Sequence, residues 1–202
     1  MLEALTDWAA EGGYLAVGIL MFLENVFPPI PSEVIMPLAG YAASRGEVSL
    51  PLAILAGSAG SLAGAWLWYG IGHWIGAERL ERCAGRYGRW LTLSPRDVRR
   101  SIRWFDRFGG ATVLVGRLVP AVRTLISVPA GIARMPTARF LLFSSIGTLV
   151  WTSALAGLGY LLGGRYEAIG GWLDPVSKGV VAVLVLGYLW RVATFRPERE
   201  TG

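Results

Sequence analysis

The chain alternates long uncharged runs with short, interrupted apolar ones. No Asp, Glu, Lys or Arg occurs from Val48 to Ala77, and none from Phe140 to Gly164. About 20 apolar residues cross a hydrocarbon core near 30 Å thick, so each run is long enough to span. The pattern predicts spans over residues 52–76 and 138–163 and a last one over 177–195. Two other apolar stretches are too short. Tyr14 to Leu23 is interrupted by Glu24, then by Pro28, Pro29 and Pro31, and after Glu33 an apolar run reaches Ala43. Gly109 to Gly116 is followed by Arg117, Pro120 and Arg123, then by an uncharged run from Thr124 to Ala133. Runs of about 10–14 apolar residues suit re-entrant segments better than spans. Proline removes a backbone donor and breaks a helix. Broken backbone at membrane depth survives only inside protein or against a wet cavity. Residues 14–44 and 108–135 are therefore expected to be helix–break–helix hairpins, each entering and leaving on one side.

Set 91 residues apart, the two hairpins match: Gly18 with Gly109, Pro29 with Pro120, and Ala39-Gly40 with Ala130-Gly131. Gly40 and Gly131 are grouped here with the prolines as break positions. Each hairpin is followed by a span rich in Gly, Trp and small residues, the signature of an internal repeat. Repeat 1 covers about 2–77 and repeat 2 about 94–164. With the final span they form a single membrane domain over 1–196, and 197–202 are a tail.

Charge orients this arrangement. Only 16% of residues are charged, against about 25% in soluble domains, and the formal charge of +5 is unevenly placed. Between Glu78 and Arg107 nine arginines face four acids, so this loop alone carries the +5. Basic loops face the cytoplasm, and anionic phospholipid headgroups explain the arginines better than nucleic acid does. The C-terminus, with Arg191, Arg196 and Arg199, is then cytoplasmic, and the acidic N-terminus external. The first hairpin enters from outside and the second from the cytoplasm, an inverted repeat of the transporter kind. Ser94-Pro95 starts a helix to Phe108 in which Ile102, Phe105 and Phe108 alternate with arginines, as in an amphipathic interfacial helix. Residues 2–11 are the candidate for its outer counterpart, on a pattern too short to define one. The expected fold is an all-α integral membrane protein: an inverted repeat with two opposing re-entrant helical hairpins, about three full transmembrane helices and amphipathic interfacial helices.

Few side chains suit other chemistry. Cys83 is the single cysteine, so no intramolecular disulfide forms, and His73 is the single histidine. No metal site or cofactor is expected. A lipid phosphatase with a histidine nucleophile needs further histidines. Glu3, Asp7 and Glu11 stand where a cleavable signal would be basic.

Glu24, Glu33, Arg117 and Arg123 lie at or near the breaks. A charge at the bilayer centre costs several kcal/mol unless paired or hydrated. Two structural ion pairs between the hairpin tips would satisfy all four groups. The functional alternative uses the arginine forks, which match phosphate oxygens, with helix N-termini adding positive potential. A phosphate then competes with the acids for Arg117 and Arg123, and Glu24 or Glu33 takes up a proton or gates the site. A proton-coupled cation or drug antiporter, with the acids as the binding groups, is the other reading of the same residues.

Glu24-Asn25 with Pro28-Pro29-x-Pro31-Ser32-Glu33, then Ala39-Gly40, resembles the first signature of the DedA family. Gly116-Arg117-x-x-Pro120-x-x-Arg123, then Ala130-Gly131, resembles the second. The resemblance covers roughly residues 10–165, a core also called the VTT domain, whose eukaryotic relatives are similar to lipid scramblases. It implies two re-entrant hairpins meeting in a helical bundle of the bacterial cytoplasmic membrane. It also implies transport of a polyprenyl phosphate, chiefly undecaprenyl phosphate returned to the inner leaflet, with essential acids at Glu24 and Glu33 and essential arginines at Arg117 and Arg123. Phospholipid scrambling is the alternative it leaves open. This chain has Pro31-Ser32-Glu33 where many members have Pro-Gly-Asp. Gly57, Gly60 and Gly64 permit close helix packing within one chain or in a homodimer.

Overall fold

A computed structural model describes residues 2–27, 32–91, 95–119, 122–163 and 190. Seven helices and no strand form within them: α1 (Leu2–Val26), α2 (Ser32–Ser44), α3 (Leu50–Leu91), α4 (Pro95–Phe108), α5 (Gly110–Arg117), α6 (Ser127–Ile132) and α7 (Thr137–Leu162). Pro28, Pro29, Pro31 and Pro120, the last span expected over 177–195 apart from Trp190, and the tail lie outside the described residues.

Glycines in a conformation that L side chains rarely adopt divide the long helices. Gly13, at φ 54°, separates residues 2–12 of α1 from its apolar part. Gly76, at φ 68°, interrupts α3 where the expected first span ends. Gly109 before α5 and Gly163 after α7 mark the corresponding points in the second half. Leu50–Arg82 and Thr137–Leu162 are the two described helices long and apolar enough to cross a membrane. Leu52, Leu55, Trp66, Trp74, Leu142, Val150, Leu158 and Leu161 point outward from them, an apolar surface too extensive for water.

The Arg-rich stretch expected as a loop is instead mostly helix. Arginine and glutamate favour helices, and α3 continues past Gly76 to Leu91 before α4 begins at Pro95. Arg99 of α4 pairs with Glu81 of α3 at 3.0 Å. Phe105 turns inward to Tyr69, Val113 and Phe140, while Trp104 and Phe108 form an exposed pair with ring centroids 4.7 Å apart.

The helices cross at backbone contact. A Cβ at Gly60 of α3 would stand 1.9 Å from the Gly18 carbonyl oxygen of α1. On α2, a Cβ at Gly40 would lie 1.9 Å from the Ala156 oxygen, and one at Gly159 of α7 would lie 1.9 Å from the Pro37 oxygen. On α6, a Cβ at Gly131 would meet the Tyr69 oxygen of α3 at 2.1 Å, and one at Gly72 the Val128 oxygen at 2.3 Å. The grouping of Gly40 and Gly131 with the breaks is corrected: both lie inside helices, where the missing side chain admits a neighbouring backbone. Thus α2 packs on α7, and α6 on α3.

The two short arms end alike. Glu47 and Gly46 donate to the carbonyls of Ala42 and Ala43, and Met135 and Arg134 to those of Ala130 and Gly131. Both are Schellman closures. Gly46 (φ 78°) occupies the left-handed position in one, and Arg134 (φ 52°) in the other.

Candidate functional site

Four of the five polar residues that meet at the centre come from helix ends. Glu24 lies in the last turn of α1, Ser32 begins α2, and Arg117 ends α5. Arg123 lies in the turn that leads into α6. The fifth, Ser127, begins α6. All are buried, with Glu24 3% exposed, Arg117 2% and Arg123 5%. Helix ends carry free backbone donors or acceptors and need polar partners, so a broken helix gathers polar side chains where an unbroken one would not.

Arg123 is held from three sides. Its Nη2 donates to Glu24 Oε1 and to Ser32 Oγ. Its guanidinium also lies over the Trp151 ring of α7, 5.5 Å from the centroid. The pair joins positions 99 residues apart and ties the first broken segment to the second. It is the one buried ion pair among the described residues. Glu33, in the first turn of α2, is half-buried and forms no ion pair. The two-pair alternative is therefore met once, not twice.

Among the described residues Arg117 has no carboxylate partner. Its Nη2 donates to Ser127 Oγ at 2.8 Å, and its buried Nε has no partner. Glu24 and Arg123 both lie within electrostatic reach of it. Its stem packs on α7 at Gly147, where a Cβ would come 2.7 Å from the Arg117 Cβ. Other unsatisfied atoms border the pair. Glu24 Oε2 has no partner, and neither has Asn25 Oδ1, although Asn25 Nδ2 donates to Ser61 Oγ at 2.8 Å. A buried cation with a spare donor, beside a second cation whose acid is only half engaged, has groups that an anion could satisfy.

The sequence pattern singled out all four charged residues, and the structure brings Glu24, Arg117 and Arg123 together while leaving Glu33 at the edge. It missed Ser32, Ser127 and Trp151. It also missed the hydroxyl stripe Ser144, Thr148 and Thr152 on α7, although a spacing of four in an otherwise uncharged run was a usable signal. Among the described residues no group of three His, Cys, Asp or Glu side chains could hold a metal. His73 is exposed and stacks beside Tyr69, ring centroids 5.9 Å apart.

A family model described as the VTT domain matches residues 30–161. A Lactococcus lactis subsp. cremoris protein named alkaline phosphatase-like protein is 40% identical over 98% of this chain and 94% of its own length. Undecaprenyl phosphate transporter A of Staphylococcus aureus is 32% identical over 99% of this chain and 98% of its own. The Bacillus subtilis protein of the same name is 29% identical over 96% of each. No solved structure is significantly similar to the chain.

Proposed function

The chain belongs to the VTT domain family, and on that premise we propose that it carries a polyprenyl phosphate, undecaprenyl phosphate in the first instance, across a bacterial cytoplasmic membrane. It is a membrane protein with a transport role, not an enzyme. The observation that carries the reading is Arg117: a buried guanidinium with no carboxylate, one hydrogen bond to Ser127 and a free Nε. Relatives named as undecaprenyl phosphate transporters supply the substrate class.

In this mechanism the phosphate bridges Arg117 and Arg123. Binding displaces Glu24 from Arg123, and the released carboxylate takes up a proton or turns away. Release reverses the exchange. Glu33, on the rim and within electrostatic reach of Glu24, serves as the gating or proton-delivering acid. The net movement of the headgroup is from the outer to the inner leaflet, with the N-terminus outside and the C-terminus cytoplasmic.

The two broken segments act as opposing hairpins of an inverted repeat. Support comes from paired crossings. Gly40 and Pro37 meet Ala156 and Gly159, while Gly131 and Val128 meet Tyr69 and Gly72. The arm positions differ by 91 in each case, and the span positions by 87. Each arm thus packs on the span of the other half, in equivalent register. Alternating access needs two such units around one central site.

Native mass spectrometry of the purified protein with undecaprenyl phosphate tests the reading. Wild type is expected to bind it in preference to bulk phospholipid, and Arg117→Ala and Arg123→Ala to lose that preference. Equal binding by all three proteins would reduce the arginines to structural partners and favour a proton-coupled antiporter.

A further inference from the structure

The stripe Ser144, Thr148 and Thr152 on α7 is not uniform. Thr152 is fully satisfied. Its hydroxyl shares a hydrogen bond with Ser58 of α3 at 2.8 Å and reaches the Thr148 carbonyl oxygen at 2.9 Å. Turning back to the carbonyl four residues earlier is the usual resting place for a helical hydroxyl. Ser144 and Thr148, one and two turns before it, do not rest there. Ser144 is fully buried and Thr148 is 4% exposed, and neither hydroxyl has a partner. Buried hydroxyls without partners are uncommon, because each forfeits its hydration for nothing.

These two hydroxyls flank the anchor point of Arg117. Gly147, between them in sequence, receives the Arg117 stem, and Trp151, three residues beyond Thr148, lies under Arg123. About two turns of α7, roughly 10 Å, therefore pass the Arg117 stem and the Arg123 guanidinium. Along that length lie two spare hydroxyl donors and the spare Nε of Arg117. All three are donors, and a phosphate monoester presents several acceptor oxygens. Asn25 Oδ1, also without a partner, suits the one proton that a phosphate monoester keeps as a monoanion. A phosphodiester has no such proton.

We infer that Ser144 and Thr148 are headgroup-binding residues: their hydroxyls donate to the terminal oxygens of a phosphate monoester held by Arg117, and so set its preference over phosphodiesters. This rests on the anion-carrier reading above. Titrations by native mass spectrometry would compare undecaprenyl phosphate with phosphatidylglycerol, a diester, on wild type, Ser144→Ala, Thr148→Val, Thr148→Ser and Thr152→Val. Ser144→Ala and Thr148→Val are expected each to weaken undecaprenyl phosphate about tenfold or more, as hydrogen bonds to charged groups do, and to leave phosphatidylglycerol unchanged. Thr148→Ser, which keeps the hydroxyl, restores the affinity. Thr152→Val lowers the thermal midpoint but keeps the monoester preference. Inorganic phosphate competes with the lipid in wild type and less so in Thr148→Val. Wild-type preference in Ser144→Ala and Thr148→Val, with Arg117→Ala still defective, would overturn this assignment alone. No monoester preference in wild type would overturn it together with the carrier reading.

Discussion

Glu24→Gln separates the two jobs given to the buried pair. Glutamine keeps the shape and removes the charge, so Arg123, 5% exposed, would retain only Ser32 and the Trp151 ring as partners. Removing one member of a buried pair costs about 3–5 kcal/mol. The two remaining partners argue for the lower end. At about 2–4 °C per kcal/mol for a chain of this size, thermal unfolding in detergent should fall by roughly 6–12 °C. Binding should move the other way. The phosphate no longer competes with a carboxylate for Arg123, and a hydrogen bond to a charged group is worth about 1.5–3 kcal/mol. Undecaprenyl phosphate should therefore bind roughly 10–150 times more tightly, and its addition should raise the midpoint of the variant more than that of wild type. Transport in proteoliposomes should slow, because no acid reclaims Arg123 at release. Weaker binding in Glu24→Gln, or a loss of stability with unchanged affinity, would refute the exchange and leave Glu24 a structural counter-ion.

Three further predictions concern the scaffold. Gly40→Ala and Gly131→Ala each drive a methyl into a backbone carbonyl, at 1.9 and 2.1 Å, and backbone cannot step aside as a side chain can. Each should cost about 3 kcal/mol, at the upper end of ordinary overpacking, read as a lower thermal midpoint. Gly70→Ala, with nothing within 4 Å, should gain up to about 1 kcal/mol from helix propensity. Arg134 holds a left-handed conformation at φ 52°, at a cost of about 1–2 kcal/mol. Arg134→Gly relieves that strain but loosens the unfolded chain by about 0.4–1 kcal/mol, so a small net gain of about 0.5 kcal/mol in thermal unfolding is expected.

What could be read from the pattern and what could not divide along physical lines. Uncharged length located the two long apolar helices among the described residues, because the hydrocarbon core sets a minimum run. The first expected boundary, residue 76, falls on Gly76, which interrupts α3. Charge marked Glu24, Arg117 and Arg123, which the structure brings together, because a carboxylate or guanidinium inside an apolar stretch is expensive enough to need a reason. Which acid meets which arginine was not legible. The choice of Glu24 over Glu33 depends on how α1 and α2 are aimed after the break, a three-dimensional matter. The helical continuation to Leu91 was missed because charge density was read as a loop signal, although arginine and glutamate form helices readily.

The hydroxyls were hidden for a related reason. Ser and Thr cost little in an apolar helix, because each can bond back to its own backbone, so pattern alone gives them no weight. Only the difference between Thr152, which does so, and Ser144 and Thr148, which do not, separates packing from recognition. The same logic governs the glycines. Small residues bring α2 and α6 into backbone contact with α7 and α3, and that contact sets where Ser32 and Ser127, at the starts of α2 and α6, stand beside the arginines. Arg117 is 2% exposed, and a buried unpaired donor such as its Nε is the group that water would reach if the helices moved apart. A scaffold loosened by Gly131→Ala should therefore lose phosphate preference before it loses fold. Native mass spectrometry at temperatures below the variant's own midpoint would detect this, and an undiminished preference there would uncouple the tight crossings from the site.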